Sequence, residues 1–425
     1  MKLREIKICL CTLVVYACGV GASQAQQDHL VFEAKGKANG KHIVLLAGDE
    51  EYRSEESMPM LAQILSNQGF QCTVLFSMDK NNKFVDPKNQ KSLSNPVALD
   101  SADAIVMCLR FRNWEDSAFG KFESAFERGV PIVALRTSTH AFKVGGKSKY
   151  AKYSFNAKEE TGWKGGFGRQ VLGETWVSHH GKHKKEATRT KVESGAEKNP
   201  ILNGVGEIFC TSDVYGAKPL EPSTVLLRGE VTETFDPKSK AVDGKNDPMQ
   251  PVVWTREYKQ DSGKVNKILT TTMGAATDLL DENLRRVVVN GVYWGLDMKV
   301  PEKADVSIVG EYKPTFYSFG KFKKDTPPEG FVIKASKAKS KKADEKPAVK
   351  VASIEQPKAT PGKPPAHLKI TKNSRIGFVG GGLGSRMNIF NHFETELQLR
   401  YPEHDLYVRN WCKEGDTPAC NIQLC

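Results

Sequence analysis

The chain lacks several features that would have narrowed its function at once. It has no Cys-x-x-Cys pair, the spacing used by many redox and zinc-ribbon sites. It has no GxxxxGK[ST] stretch, which excludes a phosphate loop of that type. Beyond the N-terminus no apolar run approaches the roughly 20 residues that a membrane-spanning helix needs. Aromatics are nowhere interleaved with a basic stripe, so the net charge of +12 carries no nucleic-acid signature. The charge is also concentrated, since residues 321–366 hold 12 lysines against 5 acids, a surplus of +7. A solvated linker able to touch an anionic surface fits that pattern, and nucleic acid is not an expected partner.

The N-terminus reads as an export signal. Lys2, Arg4 and Lys7 precede an apolar or small stretch over 8–22, and Ser23-Gln24-Ala25 is an acceptable cleavage site. Residues 1–25 are therefore expected to be a signal peptide, and the protein to be periplasmic or secreted. Lipid attachment at Cys18 is the weaker alternative, because Val15-Tyr16-Ala17 matches the usual leader poorly. Of the nine cysteines, Cys72 and Cys108 sit in apolar strand patterns and read as small core residues. Cys412, Cys420 and Cys425 lie close together near the C-terminus, where they could pair in an oxidising compartment.

Residues 40–318 alternate strand and helix patterns. Strands are expected at 42–48, 71–77, 102–108 and 130–136, with helices at 56–68 and 115–128 between them. Further strands follow at 224–231, 251–257 and 267–273, and a helix at 281–297. Near-continuous apolar strands such as Ala104-Ile105-Val106-Met107-Cys108 suit an open parallel sheet with helices on both faces. Residues 319–367 have no apolar periodicity and are rich in Lys, Pro, Ala and Ser, the composition of a disordered linker. Residues 368–425 begin a second α/β pattern, with strands at 375–379 and 404–409 around a helix at 387–400, about one βαβ unit.

Ligands of open α/β sheets bind beyond the carboxyl ends of the strands, so the loops there supply the candidates. The first, Asp49-Glu50-Glu51-Tyr52-Arg53, offers Glu51 and Arg53 to a polyhydroxylated or cationic ligand; the bland reading is an acidic helix start. The turn Arg136-Thr137-Ser138-Thr139-His140 stands where a nucleophile elbow would. Ser138 with His140 is the candidate pair, although Arg136 and His140 are bulky where an elbow wants small residues. His140 alone reads as an acid–base or contact residue. In Ser178-His179-His180-Gly181-Lys182-His183, three imidazoles within five residues resemble a metal site. No Cys or acid sits at helical spacing, however, and lysines 182, 184 and 185 disfavour a dication. The expectation is no metal and no cofactor, with His179 or His180 in a substrate pocket. Trp163, before a Gly-rich stretch ending at Arg169, could stack on a sugar face. Asp213 belongs to the same expected edge.

These residues carry a resemblance to the ThuA-like (trehalose-utilisation) family over about 42–298. It rests on the acidic loop after the first strand, Gly129-Val130-Pro131-Ile132-Val133-Ala134-Leu135 leading to His140, and Thr175 to His180. It rests too on Thr211-Ser212-Asp213-Val214-Tyr215, Pro251-Val252-Val253-Trp254, Met273-Gly274 and Trp294-Gly295-Leu296. The resemblance implies a flavodoxin-like fold of the class I glutamine amidotransferase type, a pocket at the strand ends that includes Tyr215, and carbohydrate as the ligand. Amidotransferase relatives carry a Cys nucleophile where Thr137 and Ser138 stand, so glutaminase activity is not expected. Relatives often have His after the glycine matching Gly274; here it is Ala275. The tail is similar to the opening of an SGNH (GDSL-type) hydrolase, with Gly380-Gly381-Gly382-Leu383 in place of GDSL, so the nucleophile position is Gly382. The function expected is binding or modification of a carbohydrate or other small polar ligand. A non-catalytic surface role and a serine-type hydrolase are the alternatives.

Overall fold

Burial on both faces of the central strands decides the architecture. In the computed structural model, strands β1 (His29–Phe32), β2 (His42–Gly48) and β3 (Gln71–Phe76) form one end of a ten-stranded sheet. Ile43, Leu45 and Ala47 of β2 enter one hydrophobic core and Val44 and Leu46 the other. The first core is closed by helix α1 (Ser54–Asn67) through Met58, Leu61 and Leu65. The second receives Phe119, Phe122 and Phe126 of α2 (Asp116–Glu127). Helix α3 (Glu282–Gly295) returns to the first face with Leu284, Val287 and Val288. Its start is fixed by Asp281, whose side chain accepts from the backbone N–H of Asn283 and Leu284.

The remaining strands of the sheet are β4 (Ala104–Leu109) and β5 (Ile132–Leu135), then, after the short β6 (Ser178–His179), β7 (Ala187–Val192) and β8 (Phe209–Cys210). After the short β9 (Tyr215–Gly216) come β10 (Thr224–Thr232), β11 (Gln250–Lys259) and β12 (Val265–Thr271). The order across the sheet is β1-β3-β2-β4-β5-β12-β11-β10-β7-β8. The five strands β3-β2-β4-β5-β12 are mutually parallel. Numbered among themselves they run 2-1-3-4-5, the flavodoxin order, whose ligand crevice lies at the switch between the first and third strands. The expected α/β class and covered sheet are thus observed.

The expectation of a parallel sheet fails beyond β12. There β12-β11-β10-β7-β8 pair antiparallel, and β1 caps the other edge antiparallel to β3. For β11 and β12 the reason is connection length. Only residues 260–264 separate β11 from β12, closed by Gly263 at φ 82° and a Gln260 N–H to Lys264 carbonyl bond of 2.8 Å. A parallel crossover needs a dozen residues or more.

The structure describes residues 27–334, 375–378, 401–404 and 406–410. The expected signal peptide, linker residues 335–367, the helix at 387–400, the glycines at 380–384 and the three C-terminal cysteines lie outside the described residues. The chain divides into two units, Met1–Lys339 and Ser340–Cys425. In the second, β13 (Arg375–Phe378) pairs parallel with β14 (Tyr407–Asn410). Among the described residues no helix is long and apolar enough to cross a membrane.

The linker boundary expected at residue 319 is corrected. Residues 319–334 pack on the first unit: Val85 N–H donates to the Thr326 carbonyl (3.0 Å), and the Gln63 side chain bonds both the N–H and the carbonyl of Ile333. Phe331 is buried with its ring 6.2 Å from that of Phe76. Burying one such ring contributes about 1.5–3 kcal/mol. A chain ending at residue 318 is therefore expected to melt at a lower temperature than one ending at 334. Equal melting temperatures would show that the segment contributes no stability.

Candidate functional site

The loop after β2 is folded by Asp49. Its buried carboxylate accepts from the backbone N–H of Glu51 and Tyr52, both at 2.6 Å, and from the Thr137 hydroxyl. Those bonds tie the loop after β2 to the loop after β5. Burial, and then the neighbouring Glu50 charge, raise the Asp49 pKa in spite of them. The turn closes at Arg53, in the left-handed region at φ 61°, and Ser54 accepts from the Asp49 N–H (3.0 Å).

After β5 the chain enters the left-handed region at Arg136, φ 45°. This aims a fully buried guanidinium across the strand ends. Its Nη1 donates to the carbonyls of Asp213 and Thr272, each at 2.7 Å; its Nη2 donates to the Tyr52 hydroxyl (3.1 Å) and to Asp213 Oδ1 (2.9 Å). The ring centroids of Tyr215 and Tyr52 lie 3.7 and 4.7 Å from its central carbon. Gly274, at φ 134°, lets the strand after β12 pass close by, since a Cβ there would stand 2.8 Å from Leu135 Cβ.

Asp213, between β8 and β9, is fully buried and is the hub. Oδ2 lies 2.6 Å from His179 Nδ1, and Oδ1 lies 3.0 Å from His183 Nδ1. His183 Nε2 in turn lies 3.0 Å from Glu51 Oε1. Burial opposes ionisation of Asp213, but Arg136 and the two histidines overcome it and hold the carboxyl well below its usual range. His183, hydrogen-bonded to Asp213 and Glu51, has its pKa raised to about 9. Glu51, His179, His183 and Asp213 thus form one connected polar cluster, open on the His179 side, whose side chain is 35% exposed. Beside it Trp176, Tyr215 and His140 make an aromatic wall, with ring centroids of Trp176–His179 at 5.7 Å and His140–Trp176 at 5.5 Å. Lys184 borders it, 4.0 Å from Glu51.

Of the residues expected from sequence, Glu51, His179, Asp213 and Tyr215 meet here, and His140 stands in the wall. His140 is buried, which with the charges of Arg110 and Arg136 drives its pKa well below the usual imidazole value, so it is neutral. The others do not converge. Ser138 stands apart from the cluster: its buried hydroxyl donates to the Met107 carbonyl (3.0 Å) and accepts from the Leu109 N–H (3.2 Å). His180 bonds the Lys245 carbonyl at 2.7 Å, away from the cluster. Trp163 lines a separate cavity of about 310 Å³ with Tyr153, Tyr258 and Lys152. The glycines after it serve close packing, since a Cβ on Gly168 would collide with the Thr139 carbonyl. Arg53 is buried and donates to the carbonyls of Glu50 and Ser318.

Sequence reasoning missed two members of the site. His183 is weighed in the sequence only as one of three clustered imidazoles and set aside, because its acidic partners are 30 and 132 residues away. Arg136 was read only as an obstacle to an elbow. A basic residue with a fixed place at a strand end was the available signal.

The model of the family described as ThuA, trehalose utilisation, matches residues 43–295. The chain belongs to the ThuA family. The matched range takes in every residue of the cluster, and it stops well short of the tail. Among solved structures, a ThuA-like protein from Parabacteroides merdae is similar at 14% identity over 66% of this chain and 97% of its own, with a TM-score of 0.40. Another ThuA-like protein, from Bacteroides uniformis, is similar at 15% identity over 62% and 93%, with a TM-score of 0.39. No curated relative matches the chain.

The placement of Arg53 leaves its neighbour Glu55 fully buried, 3.9 Å from that guanidinium. Burial pushes the Glu55 pKa up to about 8, with Arg53 opposing and Glu56 and Asp49 adding to the rise. Between the ordinary carboxyl value of about 4.3 and about 8, the folded protein therefore holds a proton that the unfolded chain lacks. The stability this contributes is complete below the unfolded value and is lost as pH rises through the folded one. Glu55→Gln is expected to flatten the stability profile over that window and to gain relative stability above pH about 8. Urea midpoints of both proteins from pH 5 to 9 measure it; parallel profiles would contradict a protonated Glu55.

Proposed function

We propose that this ThuA-family protein binds a carbohydrate at the strand ends of its sheet and presents the Asp213-centred cluster to it as the reactive end. The observation that carries this reading is the pairing of an exposed imidazole, His179, with a buried carboxylate, beside Trp176. Sugars are recognised by alternating donors and acceptors together with an aromatic face, and the cluster with Trp176 beside it offers both. The family description, trehalose utilisation, supports the choice of sugar over other polar ligands. Export through residues 1–25 belongs to the same proposal and would place the site where extracellular sugars arrive. The lysines between 335 and 366 would add contact with an anionic surface. The tail supplies no catalytic group in this reading, because Gly382 stands at the nucleophile position of the SGNH hydrolases it resembles.

Binding without turnover is the second reading. It is favoured by Ala275, which packs against Tyr52 and Tyr317 where relatives often have His and so offers no titratable group.

A ligand that binds only the folded state raises stability by mass action. Trehalose is expected to raise the melting temperature in a concentration-dependent manner, and Trp176→Ala to abolish the shift. Ser138→Ala is expected to keep the shift while lowering the baseline stability. A shift unaffected by Trp176→Ala, or none with trehalose, sucrose, maltose or glucose, would contradict the proposal.

A further inference from the structure

We infer that His179, His183 and Asp213 bind a divalent transition-metal ion of the zinc class, with Glu51 as a positioning residue behind His183. The inference concerns the cluster proposed above as the reactive end, but does not require the ligand to be a sugar.

The donor atoms of the three residues lie within 4.8 Å of one another. The two Nδ1 atoms face the two carboxylate oxygens of Asp213 at 2.6 and 3.0 Å, near the spacing of neighbouring ligands around an ion with bonds of about 2.0–2.2 Å. The backbone is shaped for this approach. Gly181 lies over Asp213, and a Cβ there would stand 3.1 Å from Asp213 Cβ. A side chain at this position would need Asp213 or Val214 to give by a few tenths of an ångström.

The second, independent observation is Glu51. Histidines that ligate metals usually give their other ring N–H to a carboxylate, which fixes the tautomer and the ring plane. His183 has that arrangement, with Nδ1 toward Asp213 and Nε2 on Glu51 Oε1 at 3.0 Å. With an ion on Nδ1, His183 is a neutral ligand whose single N–H goes to Glu51.

The lysines that argued against a dication are accounted for. Lys182 is 69% exposed and pairs with Glu186 across 3.7 Å. Lys185 is exposed. Only Lys184 comes near, and it faces the outer carboxylate, Glu51.

Two nitrogens and one carboxylate select the ion. Calcium and magnesium need oxygen-rich sets. Arg136 already draws charge from Asp213, which weakens a purely electrostatic site further. Imidazole donors suit zinc, cobalt, nickel, copper and iron. Three protein ligands leave a coordination position open toward the exposed side of His179, the arrangement of zinc sites that act on a bound molecule.

The test uses the full-length protein stripped with a chelator and titrated with CoCl2, with no sugar present, so that its outcome is separate from that of the carbohydrate reading. One equivalent of cobalt per chain is expected to give visible d–d bands, displaced by ZnCl2. His179→Ala and His183→Ala are each expected to lose the bands, and Glu51→Gln to weaken binding by about 10–100-fold. His180→Ala is expected to bind like the native protein. His179 is exposed, so His179→Ala should fold; circular dichroism checks this for each variant. If His183→Ala does not fold, the native stoichiometry and the His179→Ala result decide. Absence of stoichiometric cobalt in the native protein, or bands that persist in His179→Ala, would overturn the inference.

Discussion

The site depends on one buried ion pair, Arg136 with Asp213. A guanidinium with no exposed surface is held by two carbonyls, one carboxylate oxygen and one phenol, between two tyrosine rings. These partners come from four places: the loop after β2, the segment between β8 and β9, β9 itself, and the strand end after β12. Arg136 is thus the fastener that gathers the ends of distant elements into one surface. Breaking such a pair by removing one partner typically costs about 3–5 kcal/mol, because an uncompensated charge stays buried. Replacing both partners with apolar residues can be nearly neutral. The pair is therefore better explained by the shape it imposes than by the stability it adds. It fixes where Asp213 points, and so where His179 and His183 are held.

The same geometry explains why a flavodoxin-type sheet carries an antiparallel extension. The parallel block supplies the switch-point crevice and the loops bearing Asp49, Glu51 and Arg136. The antiparallel strands β10, β11 and β7 extend the sheet, and the segments that run beside them, with β6 and β9 paired at Ser178–Gly216 and His179–Tyr215, place His179 and Asp213 opposite the first set. The cluster draws one half from the loops of the parallel block and the other from the segments around the separate β6–β9 pair, which a short local motif could not achieve.

That division also sets what was legible in the sequence. Apolar runs such as His42–Gly48 and Ala104–Leu109 declare themselves as buried strands, so the parallel block and its three helices could be read nearly to their ends. The β7 strand, Ala-Thr-Arg-Thr-Lys-Val, has four polar residues in a row and an apolar one only at each end, and gives no such signal. Residues 328–333 have no period, yet three adjacent apolar residues suffice to anchor a segment on an existing surface. In the site, Glu51, His179 and Asp213 were accessible because each follows or ends a strand on one edge. His183 was not, because a search for ligands at helical spacing cannot find acids in distant loops. Trp163 and Arg53 lie away from the cluster, the first lining a separate cavity and the second buried against backbone carbonyls, and neither placement is visible in the local sequence.

The central claim is that His179 and His183 face the ligand while His180 does not. Side-chain NMR of protein labelled with 15N-histidine tests it most directly. Addition of trehalose is expected to shift the ring resonances of His179 and His183, assigned by their alanine variants, and to leave His180 unmoved. Shifts confined to His180 or to histidines outside the cluster, or no shifts at saturating sugar, would contradict the account.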